Sequence, residues 1–478
     1  MSKMKLIAGI SALFFVICMI LVFTGCGEPP VSLLIENKYH YEPETYAKPD
    51  HTPREFEEYE KILKSIPLDF SEVNHNFSDM DTVRNHKAWI VDLFHQVIKG
   101  KRELYVLFNN HHVLRLTGSQ LVLEWTVELE GRPSSPPAIT DNDIVWLTDT
   151  NVITWYFRDR QPNQNQMRYT KVLSVTPASP IAANESGAYL SASEHFRMFG
   201  YDERHKLEKW YWPTAGIGIG TITMTPFADH DRLYFYNNNG NVYCISSDDG
   251  SKKWEFDVTH MNANFAVKDA GNDKLFFIPS WSTKLFCMNT AREIYWSFHA
   301  QEPIVSTPFV EDSVDNEHYV IFQTPRYLNC IKYYYSADVK GSKGWIRLVD
   351  ADNPEGRKAN EPVWQIPLVA DVYLPGGKEA TKYTDDEILK LEYRRKFKSL
   401  LIGKKYLYVL QYVQMEDDGK MVDKKFIRRI ELETGEMEKE GYDVTKFPII
   451  VGSNNEDDRS IYFATSEGYL FVMSIPPN

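Results

Sequence analysis

Val242-Tyr-Cys-Ile-Ser-Ser-Asp-Asp-Gly-Ser-Lys-Lys-Trp254 is the clearest unit of a sequence that repeats itself. An apolar strand end runs into an Asp- and Gly-rich turn, and a Trp follows about ten residues on. Leu116 to Trp125, Gly200 to Trp210, Cys287 to Trp296 and Ile430 to Glu440 follow the same grammar. A period in the forties, built of strands alone, predicts a β-propeller.

Each unit is best marked by its second strand, an aromatic-rich alternating run. These runs fall at Glu103–Asn109, Asp143–Thr148, Ala188–Ser193, Arg232–Asn237, Lys274–Pro279, His318–Thr324, Tyr406–Tyr412 and Ser460–Thr465. Eight runs predict eight four-stranded antiparallel blades, with seven as the alternative. A Pro-containing first strand precedes many of them, as in Thr225-Pro-Phe-Ala228, where the first residue need not donate to the ladder. The long interval from His318 to Tyr406 predicts one decorated blade. It carries a hairpin at about 334–345 and an insertion at about 371–398. Thr384 and Glu387 form a capping box for a helix over 384–398 within that insertion.

The final unit stops after Gly468–Ile475, short of an outermost strand. A propeller protects such an edge by pairing its two ends, so residues 67–73 are the expected donor.

Composition agrees with an all-β body. The 478 residues include 28 Tyr, 26 Phe and 11 Trp, the aromatics that favour sheet. A net charge of −13 gives none of the basic footprint of a nucleic-acid binder.

Lys3 and Lys5 precede an apolar run, Leu6 to Phe23, closed by Thr24-Gly25-Cys26. This reads as an export signal over 1–25, with an uncleaved membrane helix as the alternative. Residues 26–52, with Pro29, Pro30, Pro43 and Pro49, read as a tether. Phe56, Tyr59, Ile62, Leu63 and Ile66 have helical spacing and predict a short helix over 53–66, before a propeller over 67–478. Three cysteines follow Cys26, an odd number that implies no complete disulfide framework. Cys244 and Cys287 occupy equivalent repeat positions and read as small buried hydrophobes.

The Cys244-to-Trp254 block resembles the tryptophan-docking repeat of quinoprotein-like propellers. Gly250 and Trp254 are in register with it, and Gly200, Asp202 and Trp210 match a second copy. Glu433-Thr434-Gly435 matches the turn of a third, without its Trp. The resemblance implies a structural docking role for Gly250, Trp254, Trp125, Trp210 and Trp296. The segment ending at Cys26 resembles a bacterial lipoprotein signal, which implies that Cys26 carries the lipids. An exported propeller of this kind is similar to the BamB-like lipoproteins of the outer-membrane β-barrel assembly machinery, and in fold to periplasmic quinoprotein dehydrogenases.

The two likenesses imply different functions. The dehydrogenases hold pyrroloquinoline quinone beside Ca²⁺, often with two adjacent cysteines, and this chain has no adjacent Cys pair. Asp350-Ala-Asp-Asn-Pro-Glu-Gly356 lacks the ligand spacing of a calcium loop. Gly216-Ile-Gly-Ile-Gly220 has the wrong spacing for a dinucleotide fingerprint, and adjacent His111 and His112 on a strand point to opposite faces.

The expectation is therefore a non-catalytic scaffold without cofactor or metal, a monomer within a complex of envelope proteins. It is lipid-anchored, facing the periplasm from the outer membrane, and binds no nucleic acid. A quinone-dependent dehydrogenase and a sugar- or peptide-binding sensor are the alternatives. The candidate partner surface is Tyr333, Tyr334 and Tyr335 together with the 371–398 insertion, since long loops in a compact body often carry function.

Overall fold

The computed structural model describes residues 63–67 and most of 90–474. The longest stretches it leaves out within the latter are 159–166, 213–224, 337–344, 349–361 and 369–395. The signal, the tether, Cys26, Gly216–Gly220 and Asp350–Gly356 lie outside the described residues, as does most of each expected helix.

The described residues form eight antiparallel blades. β1 (Leu63–Pro67) comes first in the chain but belongs to the last blade. Blade 1 is β2 (Ile90–Ile98), β3 (Lys101–Phe108), β4 (His112–Thr117) and β5 (Val122–Glu128). Blade 2 is β6 (Ala138–Ile139), β7 (Asp143–Leu147), β8 (Val152–Phe157) and β9 (Met167–Val172). Blade 3 is β10 (Ala182–Asn184), β11 (Gly187–Ala192), β12 (Arg197–Asp202) and β13 (Leu207–Trp212). Blade 4 is β14 (Phe227–Asp229), β15 (Arg232–Tyr236), β16 (Asn241–Ser246) and β17 (Lys252–Asp257). Blade 5 is β18 (Ala266–Ala270), β19 (Asp273–Pro279), β20 (Lys284–Asn289) and β21 (Ile294–His299).

Blade 6 is β22 (Phe309–Val310), β23 (Glu317–Gln323) and β24 (Tyr327–Ser336), with β25 (Trp345–Leu348) and β26 (Trp364–Pro367) sharing the outer edge of β24. Blade 7 is β27 (Lys396–Ile402), β28 (Tyr406–Asp417), β29 (Lys420–Glu431) and β30 (Tyr442–Asp443). Blade 8 is β31 (Ile449–Asn455), β32 (Asp458–Ala464) and β33 (Tyr469–Ser474), with β1 added outside β33.

Around the axis β10 touches both β6 and β14, β18 touches β22, and β31 touches both β27 and β2, which closes the ring. Gly452 on β31 lies against the backbone of Leu400 on β27, where a Cβ would overlap the Leu400 carbonyl. The core sits between blades. Val145, Leu147, Ile153 and Trp155 of blade 2 pack with Ala188, Leu190 and Phe199 of blade 3, and each of the other seven clusters likewise spans two neighbouring blades.

The clasp between the ends exists, with a different donor from the one expected. Leu63–Pro67, not 67–73, pairs with β33 in the register Leu63↔Met473 to Pro67↔Tyr469. Residues 63–66 are thus strand rather than the end of a helix. Pro67 disfavours helical backbone at Ile66, and the open edge of β33 supplies the partner that local spacing could not reveal. At the expected 384–398 helix, Lys396, Phe397 and Lys398 pair with Tyr412, Gln411 and Leu410 as the first strand of blade 7. Phe397, Leu400 and Leu401 are buried there, and that packing overrides helix propensity.

Candidate functional site

Strand direction sorts the connections onto two faces. Second-to-third-strand turns and the links between blades open on one face; first-to-second and third-to-fourth turns open on the other.

On the first face, blades 1, 2, 4 and 5 share one turn. His111, Asn151, Gly240 and Thr283 each have positive φ (68°, 59°, 97° and 72°). The N–H of each donates to the carbonyl three residues back: Phe108, Thr148, Asn237 and Ser280. The carbonyl of each accepts from the residue just past the fourth strand: Leu129, Leu173, Val258 and Ala300. These turns are short and tied down at both ends.

Blade 7 departs from this. β28 and β29 stay paired to Asp417↔Lys420, with Asp418-Gly419 between them. Inner pairing by β27 stops at Tyr412, and outer strand pairing by β30 stops at Phe426. Five residue pairs, Val413↔Lys424 to Asp417↔Lys420, therefore continue as a two-stranded ribbon. At ~3.4 Å per residue it runs about 17 Å past the blade. Asp423 on it is exposed, and Tyr412 at its base is 37% exposed. The 369–395 connection leaves after Leu368 and returns at Lys396, both at this face, since Pro367 lies opposite Tyr327 and Lys396 opposite Tyr412.

The other face carries the β24–β25 hairpin, in register from Tyr333↔Leu348 to Ser336↔Trp345. The two parts of the expected partner surface are thus on opposite faces, because the hairpin joins third and fourth strands whereas 369–395 joins two blades. Tyr333 is not a surface residue. It is fully buried against Trp296, Phe277 and His318, with ring centroids 5.9, 5.5 and 5.1 Å away. Tyr334 and Tyr335 follow it on β24, opposite Arg347 and Ile346, and their side chains lie outside the described set.

The docking residues form a series. Trp125, Trp210, Trp254, Trp296 and Trp364 stand opposite Arg115, Gly200, Cys244, Cys287 and Cys330 on the third strands. Tyr169 takes the same place in blade 2, opposite Trp155, and stacks on it at 5.0 Å. Four indoles donate Nε1–H to the next blade: Trp125 to Arg158 O (3.3 Å), Trp210 to Ser247 O (2.9 Å), Trp254 to Thr290 O (3.0 Å) and Trp364 to Leu432 O (2.7 Å). Gly250, with φ +71°, presents its bare face to Trp210 of the preceding blade rather than to Trp254 of its own. Gly435 meets Trp364 in the same way. Trp296 Nε1 is buried with no acceptor, because blade 6 continues as strand at Tyr333, where its neighbours turn.

Trp364 escaped the sequence reading because the hairpin stretches its distance from Cys330 to 34 residues, where 10 separate Cys244 from Trp254. Its one signal was the orphan turn at Gly435. Free Cys244, Cys287 and Cys330 are all fully buried. Burial pushes the Cys244 thiol up to about 11, so it packs as a neutral group.

Between blades 1 and 2 the docking carbonyl belongs to a buried charge network. Glu103 Oε1 accepts from Arg115 Nη2 (2.8 Å) and from Arg158 Nε (2.8 Å) and Nη2 (2.6 Å). Its Oε2 accepts from the Tyr105 hydroxyl (2.5 Å), and Arg115 Nη1 donates to the same Arg158 carbonyl that Trp125 reaches. Burial alone would raise the Glu103 carboxyl, but the hydrogen bonds from Arg158, Arg115 and Tyr105 outweigh it and hold it at about 2. One carboxylate thus holds a guanidinium from each of two blades, and the network reads as a staple between them.

Among the described residues no three His, Cys, Asp or Glu side chains converge as a metal-ligating group. His111 sits in its tight turn and His112 begins β4.

No family model matches the chain, and no curated protein matches it. Among solved structures, it is similar to BamB from Moraxella catarrhalis, with 12% identity, 82% of this chain and 98% of that one covered, and a TM-score of 0.49. It is also similar to the computationally designed Ika8 protein (9% identity, 82% and 97% covered, TM-score 0.44). The Cps50 (Swd1) propeller domain of Myceliophteria thermophila follows at 10% identity, 73% and 98% covered, TM-score 0.39. At such identities the likeness concerns architecture alone.

Proposed function

We propose that this chain is a non-catalytic, protein-binding β-propeller of the cell envelope, tethered by lipid on Cys26 and acting as a scaffold in outer-membrane protein assembly. The observation that supports binding is the blade 7 ribbon: it carries paired backbone beyond the turn that four other blades share. Propellers offer partners their loop faces while the blades stay rigid, and a projecting arm extends such a face. The envelope location rests on the apolar run before Cys26 and its resemblance to a lipoprotein signal.

Two experiments test this. Radiolabelled palmitate should mark the full chain and not Cys26→Ala. Photo-crosslinking residues placed at Tyr412 and Asp423, and separately at the exposed Ile294, should give discrete protein adducts in envelope membranes from the ribbon positions. An unlabelled chain, or adducts from no position, would remove the reading. Reduction of a dye by purified protein given pyrroloquinoline quinone and Ca²⁺ would favour the dehydrogenase instead.

A further inference from the structure

We propose that the blade 6 hairpin is an edge guard: β25 stands beside the outermost strand of blade 5 and keeps that strand from pairing with a second copy of the chain. This role is internal to the protein and does not depend on the ribbon or its partner.

The outer edges of the blades are protected by their own residues, with one exception. An unpaired strand edge invites another chain, and charged residues, Pro or short length are the usual deterrents. β5, β9, β13, β17 and β1 each contain at least one charged residue. In blade 6, β25 contains Arg347 and β26 ends in Pro367; in blade 7, β30 is two residues long and contains Asp443. β21, running Ile-Tyr-Trp-Ser-Phe-His from Ile294 to His299, has no Lys, Arg, Asp, Glu or Pro. It is the last strand of its sheet, at the length of an ordinary strand. Ile294 is 48% exposed, and Ser297 and His299 are exposed as well.

Such an edge is complementary to itself. Two copies set antiparallel about Ser297 would bring Trp296 opposite Phe298 of the second copy on one face, and Tyr295 opposite His299 on the other. Aromatic cross-strand pairs are favourable, and no like charges would meet.

β25 is placed at this edge and is not needed to complete its own blade. β26 already supplies the fourth strand of blade 6 along Tyr327–Cys330, with Trp364 at the docking position. β25 lies further along β24, from Tyr333 to Ser336. Blades around an axis diverge outward, so their outermost strands are ordinarily the farthest apart. Yet Cα atoms of β21 and β25 approach within 8 Å, nearer than the ~10 Å between stacked sheets. Among the described residues no other two outermost strands of neighbouring blades lie together over as much of their length. A strand added outside β21 would extend the face that carries Trp296 and Phe298, which is the face turned to blade 6 and its hairpin.

The hairpin has a cost at the same junction. Because β24 continues through Tyr333, Trp296 loses the turn carbonyl that the other docking indoles reach, and its buried Nε1–H has no acceptor. A buried donor left unsatisfied is destabilising, which argues for a role of the hairpin other than packing.

The test removes the guard from the full chain. Cys330 and Trp364 correspond to Cys244 and Trp254, so residues 331–363 are replaced by the blade 4 turn, 245–253. In a second, milder variant, Ile346→Pro breaks the β24–β25 pairing opposite Tyr335. By sedimentation, at least one of the two variants should keep the parent circular dichroism and at least double in mass as concentration rises, where the parent does not. Adding Ser297→Lys should return that variant to the mass of one chain, and hydrogen exchange should show the amides of Ile294–His299 protected only in the associated state. Folded variants that stay at the parent mass, association that Ser297→Lys does not relieve, or protection confined to other strands would each overturn the guard. Loss of the fold in both variants would overturn it too, since the hairpin would then be part of the core.

Discussion

The indole of Trp210, on the outermost strand of blade 3, donates Nε1–H to the Ser247 carbonyl of blade 4 at 2.9 Å. Gly200 and Gly250 both lie against that ring. Trp210→Ala should therefore destabilise the chain by ~3–5 kcal/mol, and Trp210→Phe, which keeps most of the ring but not the donor, by less. Urea unfolding followed by tryptophan-independent circular dichroism measures both. Equal losses would mean that the hydrogen bond contributes nothing beyond packing.

Acid should loosen the ring in two stages. Burial, then the Lys268 charge, lower His318 to about 3, so it is neutral and accepts from Lys268 Nζ at 2.9 Å. Its folded value lies below the unfolded one, so this stabilisation is complete above ~6.5 and lost as pH falls towards 3. Glu103, held at about 2, adds a loss below ~4.5. Glu103→Gln should cost ~3–5 kcal/mol at pH 7, because it leaves two buried guanidinium groups without their anion. It should also flatten the lower part of the pH profile; a profile unchanged between pH 4.5 and 2.5 would contradict the staple.

Asp92 should act in the opposite direction. The residue is only partly buried, but its carboxyl is enclosed, and that burial lifts it to about 7 against the Leu93 N–H bond (2.8 Å) and the charge of Lys398. A folded value above the unfolded one gives stability that is present below ~4 and lost as pH rises through 7. Asp92→Asn should raise the melting temperature at pH 8 and leave it nearly unchanged at pH 4. A larger gain at pH 4 would refute the shift.

The clasp gives a backbone test. Removal of residues 1–67 bares the outer edge of β33. The shortened chain should melt earlier and self-associate, as read by light scattering after gel filtration. Ser65→Pro, which removes one donor opposite Phe471, should lower the melting temperature by less and leave the chain monomeric. Identical melting of parent and truncated chains would show that β1 adds no stability.

Much of this architecture was legible because a blade is a local object. Tyr234, Cys244 and Trp254 lie within 20 residues, and their alternation and turn chemistry appear in any short window. Trp364, Glu103 and the partner surface were not legible, because each depends on contacts distant in sequence. Arg158 meets Glu103 across 55 residues, and Trp364 meets Leu432 across 68. Tyr333 is part of an aromatic run, yet a strand buries alternate residues and Trp296 of the preceding blade covers it.

The sequence alone determined the repeat, the number of second strands and hence the eight blades, since turn residues and apolar alternation act over a few bonds. Only the tertiary structure decided which strand closes the ring, which glycine faces which indole, and on which face each decoration emerges. Those outcomes depend on strand direction and on surfaces that exist only once neighbouring blades have met. Gly250, four residues before Trp254 in the chain, packs against Trp210 for that reason.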